Sequence, residues 1–380
     1  MSDKTTLNDV YEIYKKWLHI EDLKRIDVIL AVALTREIKG TKLWLILVGN
    51  SGDWKSVQLN ALDDGGLNSR VVKNMTARTL VSGSKYESDL APELKDKLML
   101  IPEMASILKL MPMDKAQVWA QLRDLYDGEA GKDSGMGKRA RYTNLNITFI
   151  GGSTPAIDSQ ILIHQDLGSR ELIWRTSEND NMDDGLTSEK CWDNEEHEEE
   201  MIYELRKVTQ DFLRDNKYNK DIEISQDVKY KLIKKCNFLR IMRSPAEVDS
   251  YTGELLNPAH PEKPTRILKQ FKRMYVALKS LSNDYDDEKA LGVINHIIIS
   301  SSFQNRCNVF KLLMENNNKI YSISKISEEL KLGKKTIFKE LNVLWNMGYV
   351  KRYLQEFENF GRVSEIITWS GNIKNMESLI

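Results

Sequence analysis

The chain has 380 residues, with 55 Lys+Arg against 56 Asp+Glu and a formal charge of −1. That length exceeds one ordinary domain and fits two or three. Near-neutrality excludes a uniformly basic nucleic-acid coat and a uniformly acidic disordered chain, and 41% apolar residues with only 8 Pro exclude a collagen or a linker.

Residues 7–39 read as helices: Leu7, Val10, Tyr11, Tyr14, Trp17 and Leu18 recur at helical spacing, and Ile26–Ile38 continues as a buried helix. LWLILVGN (43–50) is a short, continuously apolar run ending in Gly, the pattern of a buried parallel strand, with a helix expected from Lys55 to Ala61. LMLI (98–101) predicts a second such strand, 115–126 a helix, and the Gly- and Lys/Arg-rich stretch 127–146 an exposed hairpin with its tip at Gly135-Met136-Gly137. NITFIGGSTPAI (146–157) predicts a third strand stopped by Gly151-Gly152 and Pro155, and 171–176 a fourth. Strands alternating with helices predict a parallel α/β sheet.

From Ser177 the character changes. Residues 178–200 hold eleven acids against one lysine and read as a loop running into a solvated helix face rather than a metal site. Helices are expected over 226–243, 264–281 and 288–314. In the tail, a short helix, a turn, the longer amphipathic helix KKTIFKELNVLWNMG and two strand-like runs follow in the order of a winged helix–turn–helix. Trp17, Trp44, Trp119, Trp174, Trp345 and Trp369 fall in apolar-periodic contexts and are read as core.

Cys191, Cys236 and Cys307 lie far apart without a CxxC pair, so they read as ordinary buried thiols in a reducing compartment; His164 and His260 are isolated from other ligands. No apolar run approaches the roughly 18 residues of a membrane span. Residues 1–20 hold no signal-peptide core, so the expected location is the cytoplasm.

The most informative stretch is Gly49-Asn50-Ser51-Gly52-Asp53-Trp54-Lys55-Ser56, which leaves a buried strand and enters a helix. A phosphate-binding loop needs consecutive backbone N–H groups curled around the phosphates, a Lys to neutralise them, and a Ser/Thr hydroxyl for Mg²⁺. Gly49, Lys55 and Ser56 have that spacing. Trp54 stands where the common pattern has Gly; it keeps the N–H but adds a Cβ close to the phosphates. The second strand ends in Pro102-Glu103, an acid suited to hold the ion or polarise water, or else a surface Glu. The third strand ends in Ser153-Thr154, which would lie between the first two; Thr154, with Ser153 second, is the residue expected to reach the γ-phosphate, unless it is only a turn residue.

Together these elements resemble the AAA+ ATPases, and more narrowly the minichromosome-maintenance-like helicases of archaea, plasmids and mobile elements. The resemblance also runs through KKWLHIEDLKRIDVILAVALT, TARTLVSG, QLRDLYDGEAGKDSGMGKRA, LGSRELIWRT and KPTRILKQFKRM. It implies an α/β AAA+ P-loop NTPase core with a parallel sheet over 41–176, flanking helices over 1–40, an α-helical lid over 177–314 and a C-terminal winged helix over 315–380. It implies ATP and Mg²⁺ as cofactors. Lys55 and Ser56 match the Walker A lysine and hydroxyl, Glu103 the Walker B acid, and Thr154 the first sensor. Arg170 matches an arginine finger acting on a neighbouring subunit, and Arg266 the second sensor, with Arg175 and Arg273 in reserve. Three features depart from the family: Trp54, the Pro102 that replaces the usual tandem acid, and a missing N-terminal DNA-binding collar.

Two basic features point to DNA. Lys132, Lys138, Arg139 and Arg141 lie on the expected hairpin, where a sequence-independent phosphate contact and a merely solvated hairpin are both open. From Lys319 to Arg352 there are eight Lys/Arg against three Glu. Lys334, Lys335 and Lys339 would begin a recognition helix and Arg362 would lie on the wing, although such domains also serve as protein–protein modules. The expected activity is an ATP-driven DNA helicase or translocase working as a homo-oligomeric ring, with DNA and possible replication proteins as partners and no membrane. The alternative is an ATP-binding winged-helix regulator without helicase activity.

Overall fold

The computed structural model describes residues 4–20, 22–84, 88–133, 139–160, 170–176, 185–249, 251–252, 254–316, 319–359 and 362–377. They form two compact units. The first takes in the described residues of 1–163, 169–224 and 269–297, the second those of 225–268 and 298–380.

The first unit is built on a five-stranded sheet. Its strands are β1 (Trp44–Val48), β2 (Ser69–Val71), β3 (Leu98–Ile101), β6 (Thr148–Ser153) and β7 (Leu172–Arg175), ordered β2-β3-β6-β1-β7 and all parallel. Every residue of β1 and β3 is buried, as expected of strands covered on both faces. Helices α1 (Leu7–Trp17), α2 (Lys24–Leu34) and α3 (Lys55–Ala61) precede or follow β1, the last with the bounds expected from sequence. Thr6 caps α1 through a reciprocal capping box with Asp9. From Arg25 to Leu34 every residue of α2 is buried, Arg25 and Asp27 included. Tyr11 donates to one oxygen of Asp27, and Tyr285 donates to the other at 2.6 Å. Burial raises the Asp27 pKa above the ordinary carboxylate range, against the two phenol hydrogen bonds.

Two features of this sheet differ from the sequence reading. Edge strand β2 is one it lacks. β6 does not stop at Gly151-Gly152 but runs through both to Ser153. A Cβ at Gly151 would lie 2.6 Å from the Phe149 ring and 2.8 Å from the Met104 sulfur, and one at Gly152 would lie 2.4 Å from the Pro102 carbonyl oxygen. The two glycines therefore serve close packing against the exit of β3, not termination.

Helices α4 (Ala105–Leu108) and α5 (Pro112–Asp127) follow β3, and the short strands β4 (Ala130–Lys132) and β5 (Ala140–Tyr142) pair antiparallel where a hairpin was expected. Its tip, with Lys138, lies outside the described residues. The acidic stretch enters helices Gly185–Asn194 and Glu198–Asp215. The second of these packs on α1 and α3: Tyr14 bonds Thr209 at 2.9 Å, and Gln210 caps α3 by donating to the Ala61 carbonyl oxygen at 3.0 Å. Cys191, read as buried, is exposed on this solvated surface; Cys236 and Cys307 are buried.

The second unit holds helices Gln226–Met242, Gln304–Glu315, Ile323–Leu330 and Lys334–Asn346, with a three-stranded antiparallel sheet. The strands are β8 (Tyr321–Ser322), β9 (Val350–Asn359) and β10 (Arg362–Gly371), in the order β8-β10-β9. The single helix expected over 288–314 is two, Asp287–Ser301 and Gln304–Glu315, because Gln304 turns back to donate to the Ile299 and Ser302 carbonyls. Buried Arg306 donates to Glu340 at 2.8 Å and to the carbonyls of Ile241, Met242 and Ser244, closing the end of helix Gln226–Met242. Trp345, read as core, is 43% exposed, with the Arg352 guanidinium 5.3 Å from its ring. Among the described residues, no helix is long and apolar enough to cross a membrane.

Candidate active site

In parallel α/β sheets ligands bind beyond the carboxyl ends of the strands. Here that edge carries Gly49 after β1, Thr154 after β6, Glu103 after β3 and Thr176 after β7. Because β6 lies between β1 and β3, Thr154 stands between the Gly49–Ser56 loop and Glu103, as its expected role requires.

The loop is tied to its neighbours. Gly49 N–H donates to the Ser153 carbonyl oxygen at 3.1 Å. A Cβ on Gly49 would sit 2.0 Å from Thr176 Oγ1 and 2.3 Å from Asp53 Oδ2, so any other residue there would have to displace both side chains. Lys55 Nζ donates to the Gly49 carbonyl oxygen at 2.9 Å and also to that of Asn50. Burial lowers the Lys55 pKa, while Asp53, whose Oδ2 is 3.9 Å from Nζ, raises it. Ser56 Oγ donates to the Pro102 carbonyl oxygen at 3.3 Å, which brings its hydroxyl beside Glu103. The Glu103 carboxylate is exposed and accepts from the Ala105 N–H at 3.0 Å. A hydroxyl and a carboxylate sharing one edge are hard oxygen donors that suit Mg²⁺, which needs only one or two protein ligands when phosphates and water complete its shell. Among the described residues no group of three or more His, Cys, Asp or Glu could hold a metal ion unaided.

Trp54, the departure from the common loop pattern, has φ 50° and ψ 4°, the left-handed conformation that glycine adopts freely. The bulky residue thus takes the backbone shape the loop calls for, and leaves its N–H in place. Sequence reasoning missed Arg25. It is 5% exposed, and from α2 its Nη1 donates to Asp53 Oδ1 at 2.7 Å and its Nη2 to the Asp53 carbonyl oxygen at 2.6 Å. The available signal was a lone arginine at the head of a helix otherwise read as buried.

The arginines fall into distinct places. Arg170 precedes β7, and since Leu172 is in register with Leu45, it lies at the amino edge of the sheet, roughly 20 Å of strand from the loop. Its guanidinium pairs with Asp127 at 2.6 Å and lies over the Tyr126 ring. Arg175 is at the carboxyl edge and grips both oxygens of Asp158, at 3.1 and 2.6 Å. Arg273 donates to the carbonyls of Ile38 and Lys39, a structural tie. Arg266, in the second unit, is 4.0 Å from Glu262.

Of the residues expected to meet DNA, Lys132 is folded against residues 82–83, with Nζ 3.5 Å from the Ser82 carbonyl oxygen, and Arg139 is exposed. Lys334 and Lys335 are exposed in the first turn of helix Lys334–Asn346, which has no side-chain cap and no acid in that turn. Lys339 is half-buried one turn on, and Arg362 begins β10.

No family model matches the chain, and no curated protein matches it. Among solved structures it is similar to the NrS-1 C-terminal region, at 12% identity over 97% of this chain and 77% of that one, with a TM-score of 0.34. It is similar to a full-length MCM homologue from Methanopyrus kandleri at 13% identity over 80% of this chain, with a TM-score of 0.41; the chain spans 64% of that protein's length. It is also similar to the Thermotoga maritima RuvB Holliday junction branch migration motor, at 10% identity over 92% of each chain, with a TM-score of 0.26.

Proposed function

We propose that the chain is an AAA+ ATPase of the minichromosome-maintenance-like kind, a motor that translocates on or unwinds DNA as a ring of identical subunits. The reading is carried by one observation: the Gly49–Ser56 loop, Thr154 and Glu103 leave three neighbouring parallel strands at the same edge of the sheet.

In this reading the loop N–H groups cradle the phosphates of ATP, and Lys55 leaves its carbonyl partners to neutralise them. Ser56 and Glu103 hold Mg²⁺, which when bound neutralises charge on the phosphate oxygens. Glu103 polarises the attacking water and Thr154 orients it. Arg170, too far from its own loop, serves the ATP of the adjoining subunit, and Arg266 acts from a helical lid. The hairpin bearing Lys132, Lys138 and Arg139 grips the DNA backbone. The winged helix of the second unit adds Lys334, Lys335, Lys339 and Arg362. The setting would be replication of a chromosome or mobile element, with replication proteins as further partners.

The test is DNA-stimulated phosphate release by wild type and Lys55→Ala. A loss on the order of 100-fold is expected, the scale for removing one preorganised charge donor. Equal rates, or wild type that stays monomeric with ATP and DNA, would sink the motor.

A second reading rests on helix Lys334–Asn346, whose exposed Lys334 and Lys335 add cationic charge to the positive end of its dipole and leave it suited to an anion. There the chain is a DNA-binding regulator, and the nucleotide fold a switch. Sequence-specific DNA binding that persists in Lys55→Ala and needs no ATP would favour it.

A further inference from the structure

Asp53 is an awkward residue for a phosphate loop. Its Oδ2 is buried without a hydrogen-bond donor, lies against the Cα face of Gly49, and is 3.9 Å from the Lys55 ammonium. A carboxylate there repels the phosphates and competes with them for the one lysine meant to bind them.

Arg25 answers both problems. It reaches the loop from outside it, at the start of the buried stretch Arg25–Leu34 of α2, and donates to a side-chain oxygen and the main-chain oxygen of the same aspartate. The two bonds fix Asp53 at both ends, which also fixes the peptide leading into Trp54 and its left-handed backbone. Counting the three groups, the pocket keeps one net positive charge with Arg25 and none without it.

We propose that Arg25 is a positioning residue of the phosphate loop: it ties down and neutralises the Asp53 carboxylate, stopping it short of a hydrogen bond to Lys55, so that the ammonium's charge is kept for phosphate. Arg25 touches no substrate in this role; it acts through Asp53. The inference rests on the nucleotide-binding reading above, and goes beyond it in naming a residue outside the loop that sets the loop's affinity.

The experiment titrates magnesium-bound ATP into the full chain and follows the heat of binding, for wild type, Arg25→Gln, Asp53→Asn and the double variant. Arg25→Gln should weaken binding by about tenfold or more, the scale of truncating one partner of a buried hydrogen-bonded charge pair. Adding Asp53→Asn to Arg25→Gln should recover most of that loss, because the carboxylate that captures Lys55 is gone. An arginine that only stabilised α2 would not be rescued this way. Should Arg25→Gln fail to fold, Asp53→Asn alone decides: it should bind MgATP about threefold tighter than wild type, from one less negative charge beside the phosphates. Equal binding by wild type and Arg25→Gln, a double variant as weak as Arg25→Gln, or weaker binding by Asp53→Asn would each overturn the proposal. Wild type that does not bind MgATP would instead overturn the nucleotide-binding reading itself.

Discussion

Arg306 Nε donates to Glu340 at 2.8 Å with 1% and 8% of the two side chains exposed, so the pair is shut away from water. Its other donor binds carbonyls at the end of helix Gln226–Met242, so one guanidinium joins three helices of the second unit. Arg306→Met would leave Glu340 charged and alone, at a cost of about 3–5 kcal/mol. Arg306→Met with Glu340→Leu should cost clearly less, since no uncompensated charge remains. Urea denaturation midpoints of the two variants check the order; a double variant no better than the single would show that the carbonyl bonds, not the ion pair, dominate.

Asp27 makes a prediction about pH. Its folded pKa is raised by burial, so the native state holds this proton more tightly than the unfolded chain does. Stability from the protonated form is full below the ordinary aspartate range and is lost as pH rises through the raised folded value. The groups facing it are the Tyr11 and Tyr285 hydroxyls, with Asp22 and Lys289 acting at longer range. Asp27→Asn cannot ionise, so its stability relative to wild type should grow as pH rises over this interval. Parallel pH–stability curves would refute the assignment.

Gly152→Ala tests the packing behind the candidate site. The added carbon meets the Pro102 carbonyl oxygen at 2.4 Å and the Leu59 side chain at 3.4 Å, and the Pro102 contact is with backbone, which yields little. A loss of about 1–3 kcal/mol is expected from such overpacking. The shift of Pro102 should also disturb Ser56, which donates to that same oxygen, so MgATP affinity should fall along with the melting temperature.

Arg170 is tested by mixing. If it acts on a neighbour, Arg170→Ala and Lys55→Ala are each inactive alone, yet a mixture recovers part of the ATPase rate, because some interfaces join an intact loop to an intact arginine. No recovery at any ratio, with assembly confirmed by size, would leave Arg170 as the structural partner of Asp127.

The sequence announced the central strands because burial on both faces leaves an unbroken apolar run, as in LWLILV and LMLI, and it announced α3 because Gly49–Ser56 has the spacing of loops that run from a strand into a helix. Ser69-Arg70-Val71 carries no such mark: a three-residue edge strand needs only one covered side chain, so β2 went unseen. Gly151-Gly152 looked like punctuation because the partners that forbid side chains there, Met104 for the first and Pro102 for the second, lie about 50 residues away in the chain. Arg25 was hidden for the same reason. A buried charge is explained by its partner, and Asp53 is 28 residues distant. Trp345 misled in the other direction, since helical periodicity does not tell a core face from one that an arginine covers.

If Arg170 serves the loop of a neighbouring copy, its place at the opposite edge of the sheet would also govern how many working sites an assembly holds. Each complete site would belong to a junction between copies, not to a copy. A closed circle would then have as many sites as members, while an arc interrupted at one point would have one fewer, with an unserved loop at one end and an idle arginine at the other. Activity per chain would therefore step upward on closure, and a gap opened to admit a DNA strand would silence a single member and leave the rest running.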